Sequence, residues 1–144
     1  MPRLKLQEKA AKVKVLRVVL DTNILVSSLL TSGPPAAVVD LIADGKIIPF
    51  YSSPILREYM TVLSRKKFGF NSMQITRLIN DITRAGVAVE DKPYSSVKIV
   101  DEDNRMFYNA AVEAQAYLIT GNIKHFPKES FIVTPAQFVK DVKW

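Results

Sequence analysis

The segment Leu16-Arg17-Val18-Val19-Leu20-Asp21-Thr22-Asn23 decides the fold of this chain. Its first five residues form a short, nearly continuous apolar run with adjacent β-branched valines, the pattern of a strand covered on both faces. The run stops abruptly in three polar residues, which places Asp21 at the end of the strand. Asp21 has an ordinary structural use there, as N-cap of the helix that follows. Thr22 and Asn23 can serve the same purpose, which leaves Asp21 available for chemistry.

Working outward, strand-like and helix-like segments alternate. Ile24 to Leu30 and Pro35 to Ala43 read as helices separated by Thr31-Ser32-Gly33-Pro34, with Gly45 as a stop, and Ile47 to Tyr51 reads as a second strand. Pro49 inside that strand points to an edge or an irregular start, because proline cannot donate to a ladder. Ser53-Pro54 opens a helix expected to run to about Lys66, with Leu56, Tyr59, Met60 and Leu63 as its core stripe. Glu58 lies off that stripe, beside Ile55 and Val62, and periodicity alone favours a solvated side chain. Asn71 caps a helix carrying Ile75, Leu78, Ile79 and Ile82 that stops at Gly86. Val87 to Val89 and Val97 to Val100 are expected to be extended. Asp101-Glu102-Asp103 begins the next helix, Tyr117 to Thr120 and Phe131 to Val133 are strands, and Thr134-Pro135 starts a terminal helix. Segment Leu4 to Val13 shows no decisive pattern.

This alternation predicts a three-layer α/β/α sandwich around a mainly parallel sheet. In open sheets of this kind, ligand sites form beyond the carboxyl ends of the strands. Asp21 and the Thr120-Gly121-Asn122 segment both fall at that rim. On a helix, Asp103, Met106, Phe107 and Ala110 share one face, so Asp103 is expected to point along a buried stripe and to need a partner there.

With 144 residues the chain is the size of one domain, read as a basic extension over 1–14 followed by a folded domain over 15–144. The net charge of +6 comes largely from the first 17 residues, where six cationic side chains face only Glu8. That basic surplus is consistent either with phosphate binding by a tail or with a solvated segment. The absence of cysteine excludes thiolate metal sites, disulfides and cysteine nucleophiles, and a single histidine excludes histidine cages. No apolar run reaches the ~20 residues that span a bilayer, and the Lys-rich start lacks a signal-peptide core, so no membrane association and a cytoplasmic location are expected. The five glycines are scattered and form no phosphate cradle, which argues against a receiver-like or nucleotide-binding domain. His125, in Lys124-His125-Phe126-Pro127, reads as a loop residue packed near the sheet, since no acid lies near it in sequence.

The ordered set of Val18 to Asn23, a helix with Glu58, Asp101-Glu102-Asp103-Asn104 before an Ala-rich helix, and Leu118 to Asn122 resembles a PIN-domain protein, most similar to the branch of toxin components of toxin–antitoxin systems. The resemblance covers roughly residues 15 to 135. It implies a metal-dependent ribonuclease that binds Mg²⁺ or Mn²⁺ through carboxylates from separate elements, with RNA as substrate, an antitoxin partner and a homodimer. By the same correspondence Asp21 and Glu58 match the first and second acids, and the Asp101 to Asn104 segment matches the third. Asp21, Glu58 and Asp103 are then the expected catalytic metal ligands, with Asp101 in reserve. Asn23, Asn104, Thr120 and Asn122 would orient ligands or substrate, and Arg17, Arg57, Arg105 and Lys124 would meet RNA phosphates. Asn104 and Asn122 stand where the family often has acids, and amides cannot supply negative charge. A non-catalytic RNA-binding or protein-interaction module on the same fold is the corresponding alternative.

Overall fold

The computed structural model describes residues 15–93, 98–99 and 101–141. The basic extension over 1–14, including Leu4 to Val13, lies outside them. Strand β1 spans Leu16–Leu20, followed by helices α1 (Thr22–Leu30) and α2 (Pro34–Ala43), strand β2 (Ile47–Tyr51) and helix α3 (Ser53–Leu63). After a short 3₁₀ turn at Lys66–Phe68 come α4 (Ser72–Ala85) and β3 (Val87–Ala88). The last part holds a 3₁₀ turn at Glu102–Asn104, α5 (Arg105–Ala114), β4 (Tyr117–Ile119), a 3₁₀ turn at Ile123–His125, β5 (Ile132–Val133) and α6 (Pro135–Asp141). The strands form one sheet of order β3-β2-β1-β4-β5, and every pairing is parallel. This is the expected three-layer α/β/α sandwich, and β1 is its central strand.

Val18 and Val19, whose side chains point to opposite faces of β1, are both fully buried, so helices cover both sides of the sheet. Helix α5 packs on β1, β2 and β4, while α2 packs against α1, α4, α6 and β2. Asn71 caps α4 as the sequence indicates, whereas α3 is capped one residue earlier than expected, by Ser52, with Ser53 and Pro54 inside its first turn. Ser52 accepts the Ile55 amide to cap α3, and Asn71 and Gln74 form a reciprocal capping box at α4. At α6, Thr134 and Gln137 exchange the same pair of bonds.

Three expectations are corrected. Pro49 lies in β2, an interior strand. The Lys46 carbonyl faces β1 and the Tyr51 carbonyl faces β3, so by alternation the nitrogen of Pro49 faces β3, whose pairing begins only at Phe50. No ladder bond is lost. The extended piece expected over Val97 to Val100 falls partly outside the described residues, and Lys98 and Ile99 form no strand. Helix α3 ends at Leu63 instead of near Lys66, because Arg65 is extended and a separate turn follows. Its buried stripe is Ile55, Tyr59, Val62 and Leu63, whereas Met60 is 45% exposed and Leu56 only half-buried.

Gly86 couples α4 to the sheet by close approach. A Cβ there would lie 2.3 Å from the Pro49 carbonyl oxygen, so any side chain would force β2 and α4 apart.

Candidate active site

Strand order places the ends of β1 and β4 side by side, since Leu20 is level with Ile119 and the Asp21 amide donates to the Ile119 carbonyl at 3.0 Å. The residues following both strands therefore share one rim. Asp21 occupies the N-cap position of α1, but its carboxylate makes no capping hydrogen bond to that helix. Instead Oδ2 accepts the Thr120 hydroxyl at 2.7 Å and, at a longer 3.4 Å, the Asn23 side-chain amide. Thr120 is fully buried and Asp21 is 6% exposed. The Asn23 side-chain Oδ1 accepts the Gly121 amide at 3.2 Å, and the Thr120 hydroxyl oxygen accepts the Asn122 amide at 3.0 Å. Asn23 and Thr120 thus bridge the two loops with Asp21 between them.

Burial pushes the Asp21 carboxyl above its ordinary range by stripping its charge of water, and the negative charge of Glu58 adds to that push. The Thr120 hydroxyl, the Thr22 backbone amide and His125 act in the opposite direction without cancelling it. Glu58 is half-buried. Its place follows from the corrected stripe of α3: beside Ile55 and Val62 means beside the buried face, which brings its charge near enough to act on Asp21. The helix is held there by Tyr59, which is fully buried, stacks on Phe107, and donates its hydroxyl to the Leu20 carbonyl at 2.6 Å. Burial and the nearby Asp21 raise the phenol far above its usual range, so the hydroxyl remains a donor.

The third acidic segment is not gathered into this pair. Asp103 is exposed, against the expectation that it lies on a buried stripe. The helical phase assumed for it begins only at Arg105, because Asp101 folds the preceding residues into a 3₁₀ turn by accepting the Asp103 amide at 3.0 Å. Asp101 is exposed, and Asn104 is a half-buried N-cap whose side chain makes no capping bond. Among the described residues, no group of three or more His, Asp or Glu side chains is arranged to hold a metal. Of the four expected phosphate contacts, Arg17 is occupied elsewhere, donating to the Ala114 carbonyl at 3.0 Å and lying over the Phe50 ring. Arg105 forms a forked pair with Glu102, at 2.5 and 2.9 Å. Arg57 and Lys124 are exposed, as is Asn122.

His125 is the residue that sequence inspection underrated. It has an acid neighbour, Asp21, which lies close enough for their charges to interact although 104 positions separate them in the chain. The available signal was topological: a loop leaving a strand next to β1 must share the rim with Asp21.

A parallel sheet whose central strand delivers a desolvated carboxylate to the rim, within the field of a second carboxylate, defines an α/β domain with an anionic site at its carboxyl edge. Residues 17–124 match the sequence profile of the PIN domain, and the chain belongs to the PIN-domain family. It is 34% identical over 120 residues to an uncharacterized protein of Methanocaldococcus jannaschii, across 80% of this chain and 76% of that protein. Its fold is similar to the crystal structure of VapBC2 from Rickettsia felis bound to a DNA fragment from their promoter. The TM-score is 0.56 and the identity 18%, over 83% of this chain and 97% of the matched chain. No single helix among the described residues is long and apolar enough to cross a membrane.

Proposed function

We propose that this chain is a divalent-metal-dependent endoribonuclease acting on single-stranded RNA, and that it is the toxin of a toxin–antitoxin pair. The observation that carries the proposal is the buried Asp21 carboxylate at the sheet rim, held by Thr120, with its carboxyl raised by desolvation and by the charge of Glu58. Folding buries the Asp21 carboxylate within reach of a second negative charge, and that arrangement costs free energy unless a cation or proton offsets it. The donor set suits a hard cation. Mg²⁺ and Mn²⁺ take oxygen ligands, and Mg²⁺ commonly uses one or two carboxylates while retaining waters. The Thr22 hydroxyl, buried beside Asp21 without a hydrogen-bond partner, is a further oxygen in want of one.

Asp21 and Glu58 would hold the ion, and Asp103 or Asp101 would complete its ligands through a movement of the exposed 3₁₀ turn. When bound, the ion supplies Lewis-acid stabilisation of charge developing on the phosphodiester and eases deprotonation of the attacking water. Thr120 and Asn23 fix the Asp21 carboxylate, as residues behind metal ligands commonly do. Arg57 and Lys124 are the exposed cations for RNA phosphates, and an open rim admits a single strand more readily than a duplex. An antitoxin partner is supported by the fold shared with the Rickettsia felis VapBC2 structure, and a homodimer is what the family resemblance implies.

A second reading, a binding module that keeps the fold without catalysis, is favoured by Asn104 and Asn122 and by the separation of Asp101 and Asp103 from the Asp21 and Glu58 pair. Cleavage of a labelled single-stranded RNA with Mg²⁺ or Mn²⁺, with and without EDTA, decides between the two. Cleavage is expected to vanish with EDTA and in Asp21→Asn and Glu58→Gln. Persistence under all three conditions would end the nuclease proposal, and no cleavage by the wild type together with no calorimetric Mg²⁺ binding would favour the second reading.

A further inference from the structure

We propose that the 3₁₀ turn Ile123–His125 is the phosphate-holding element of this site, with the His125 ring donating an N–H to a nonbridging phosphate oxygen of a bound RNA strand. This deepens the nuclease proposal and rests on it. The turn is fixed to the carboxylate by hydrogen bonds at every joint. Thr120 donates to Asp21, the Asn122 amide donates to the Thr120 hydroxyl oxygen at 3.0 Å, and the His125 amide donates to the Asn122 carbonyl at 2.9 Å. The Gly121 amide adds a second tie through Asn23. On its far side the turn is anchored by Phe126, which is 6% exposed and donates its amide to the Ile123 carbonyl at 3.2 Å. Ile123 packs against the core, while Lys124 and His125 are exposed. A turn tied to the Asp21 loop by hydrogen bonds, with Ile123 half-buried and Phe126 buried after it, leaves the two nitrogen-bearing side chains Lys124 and His125 exposed at the rim.

The rim needs such a group. Two carboxylates repel a polyanion, Arg17 and Arg105 are engaged with the Ala114 carbonyl and with Glu102, and the exposed Arg57 lies on α3 beside Glu58, so among the described residues the β4 side of the rim has only this turn to meet a phosphate. A neutral imidazole still carries one N–H, so the contact does not require a charged ring. Lys124 contributes as a point charge.

The test is fluorescence anisotropy of a fluorescein-labelled twelve-nucleotide oligouridylate with the full chain in EDTA, which prevents cleavage and removes any dependence on metal. His125→Ala is expected to weaken binding about tenfold, as for loss of a hydrogen bond to a charged group. His125→Gln, which keeps an N–H donor, should recover part of that loss. Lys124→Ala should weaken binding and reduce the slope of log affinity against log salt by about 0.7, the value for one phosphate contact on a single strand. Lys140→Ala, on α6, should change neither. Affinity of His125→Ala within twofold of wild type, while Asp21→Asn still abolishes metal-dependent cleavage, would overturn this proposal and leave the nuclease standing. A wild type that neither binds nor cleaves RNA would overturn both.

Discussion

Replacing Tyr59 by Phe removes one oxygen atom from a fully buried ring and tests the strut between α3 and the end of β1. The Leu16 amide donates to Lys46, so Leu16, Val18 and Leu20 direct their backbone groups towards β2. Pairing of β1 with β2 ends at Val18 and Pro49, which leaves the Leu20 carbonyl beyond the last paired residue. The phenol at 2.6 Å is the partner it finds there. Tyr59→Phe strands a buried carbonyl, a loss of about 1–3 kcal/mol that the unchanged ring packing against Phe107 does not offset. For a domain of this size each kcal/mol lowers Tm by roughly 2–4 °C. Thermal and urea unfolding should therefore show a Tm lowered by several degrees and a smaller midpoint with an unchanged m-value. Since Glu58 precedes Tyr59 and Asp21 follows Leu20, cleavage should fall as well, although the substitution touches neither carboxylate. A stability within about 0.3 kcal/mol of wild type would refute the strut, because an error that small is inconsistent with any buried carbonyl left unpaired.

Three further outcomes are expected. Asp21 has its carboxyl raised in the fold, so the folded state holds that proton more tightly than the unfolded chain. Its contribution is fully present below the ordinary carboxylate value and is lost as pH rises through the raised one. In EDTA, Asp21→Asn should consequently gain on wild type in urea unfolding as pH rises from about 3.5 to about 7.5, and a widening deficit of the variant over that range would contradict the burial argument. Arg17→Met should cost about 0.5–1.5 kcal/mol through loss of the bond to the Ala114 carbonyl and leave RNA affinity unchanged, so weakened binding in anisotropy would restore Arg17 as a phosphate contact. Asn71→Ala should cost about 1 kcal/mol and speed hydrogen exchange in the first turn of α4, where unchanged protection would mean the capping box is idle.

The sheet and most helix starts were legible because they depend on local signals: an apolar run for β1, Ser53-Pro54 for the opening of α3, which the structure caps one residue earlier, and Asn71 for α4. The face of α3 was not. Leu56, Tyr59, Met60 and Leu63 satisfy helical spacing, and so do Ile55, Tyr59 and Val62, and the choice between them is made by the angle at which the helix leaves β2. That choice also decides whether Glu58 meets Asp21 or water. Asp103 was misplaced because the Asp101 side chain inserts a tighter turn and shifts the phase before Arg105. His125 was invisible to sequence because its acid neighbour is supplied by the adjacency of β1 and β4, a property of strand order.

The central position of β1 has a consequence for biosynthesis. The hydroxyl that fixes the Asp21 carboxylate leaves the ribosome 99 residues after it, on a strand that must dock along an edge β1 has kept open until then. A nascent chain stalled before Tyr117, or one cut short there, carries Asp21 and Glu58 yet lacks Thr120, the loop behind it and the neighbour that closes the sheet. The carboxylate site is therefore completed late in synthesis, and on the nuclease proposal a chain released before β4 would be inactive.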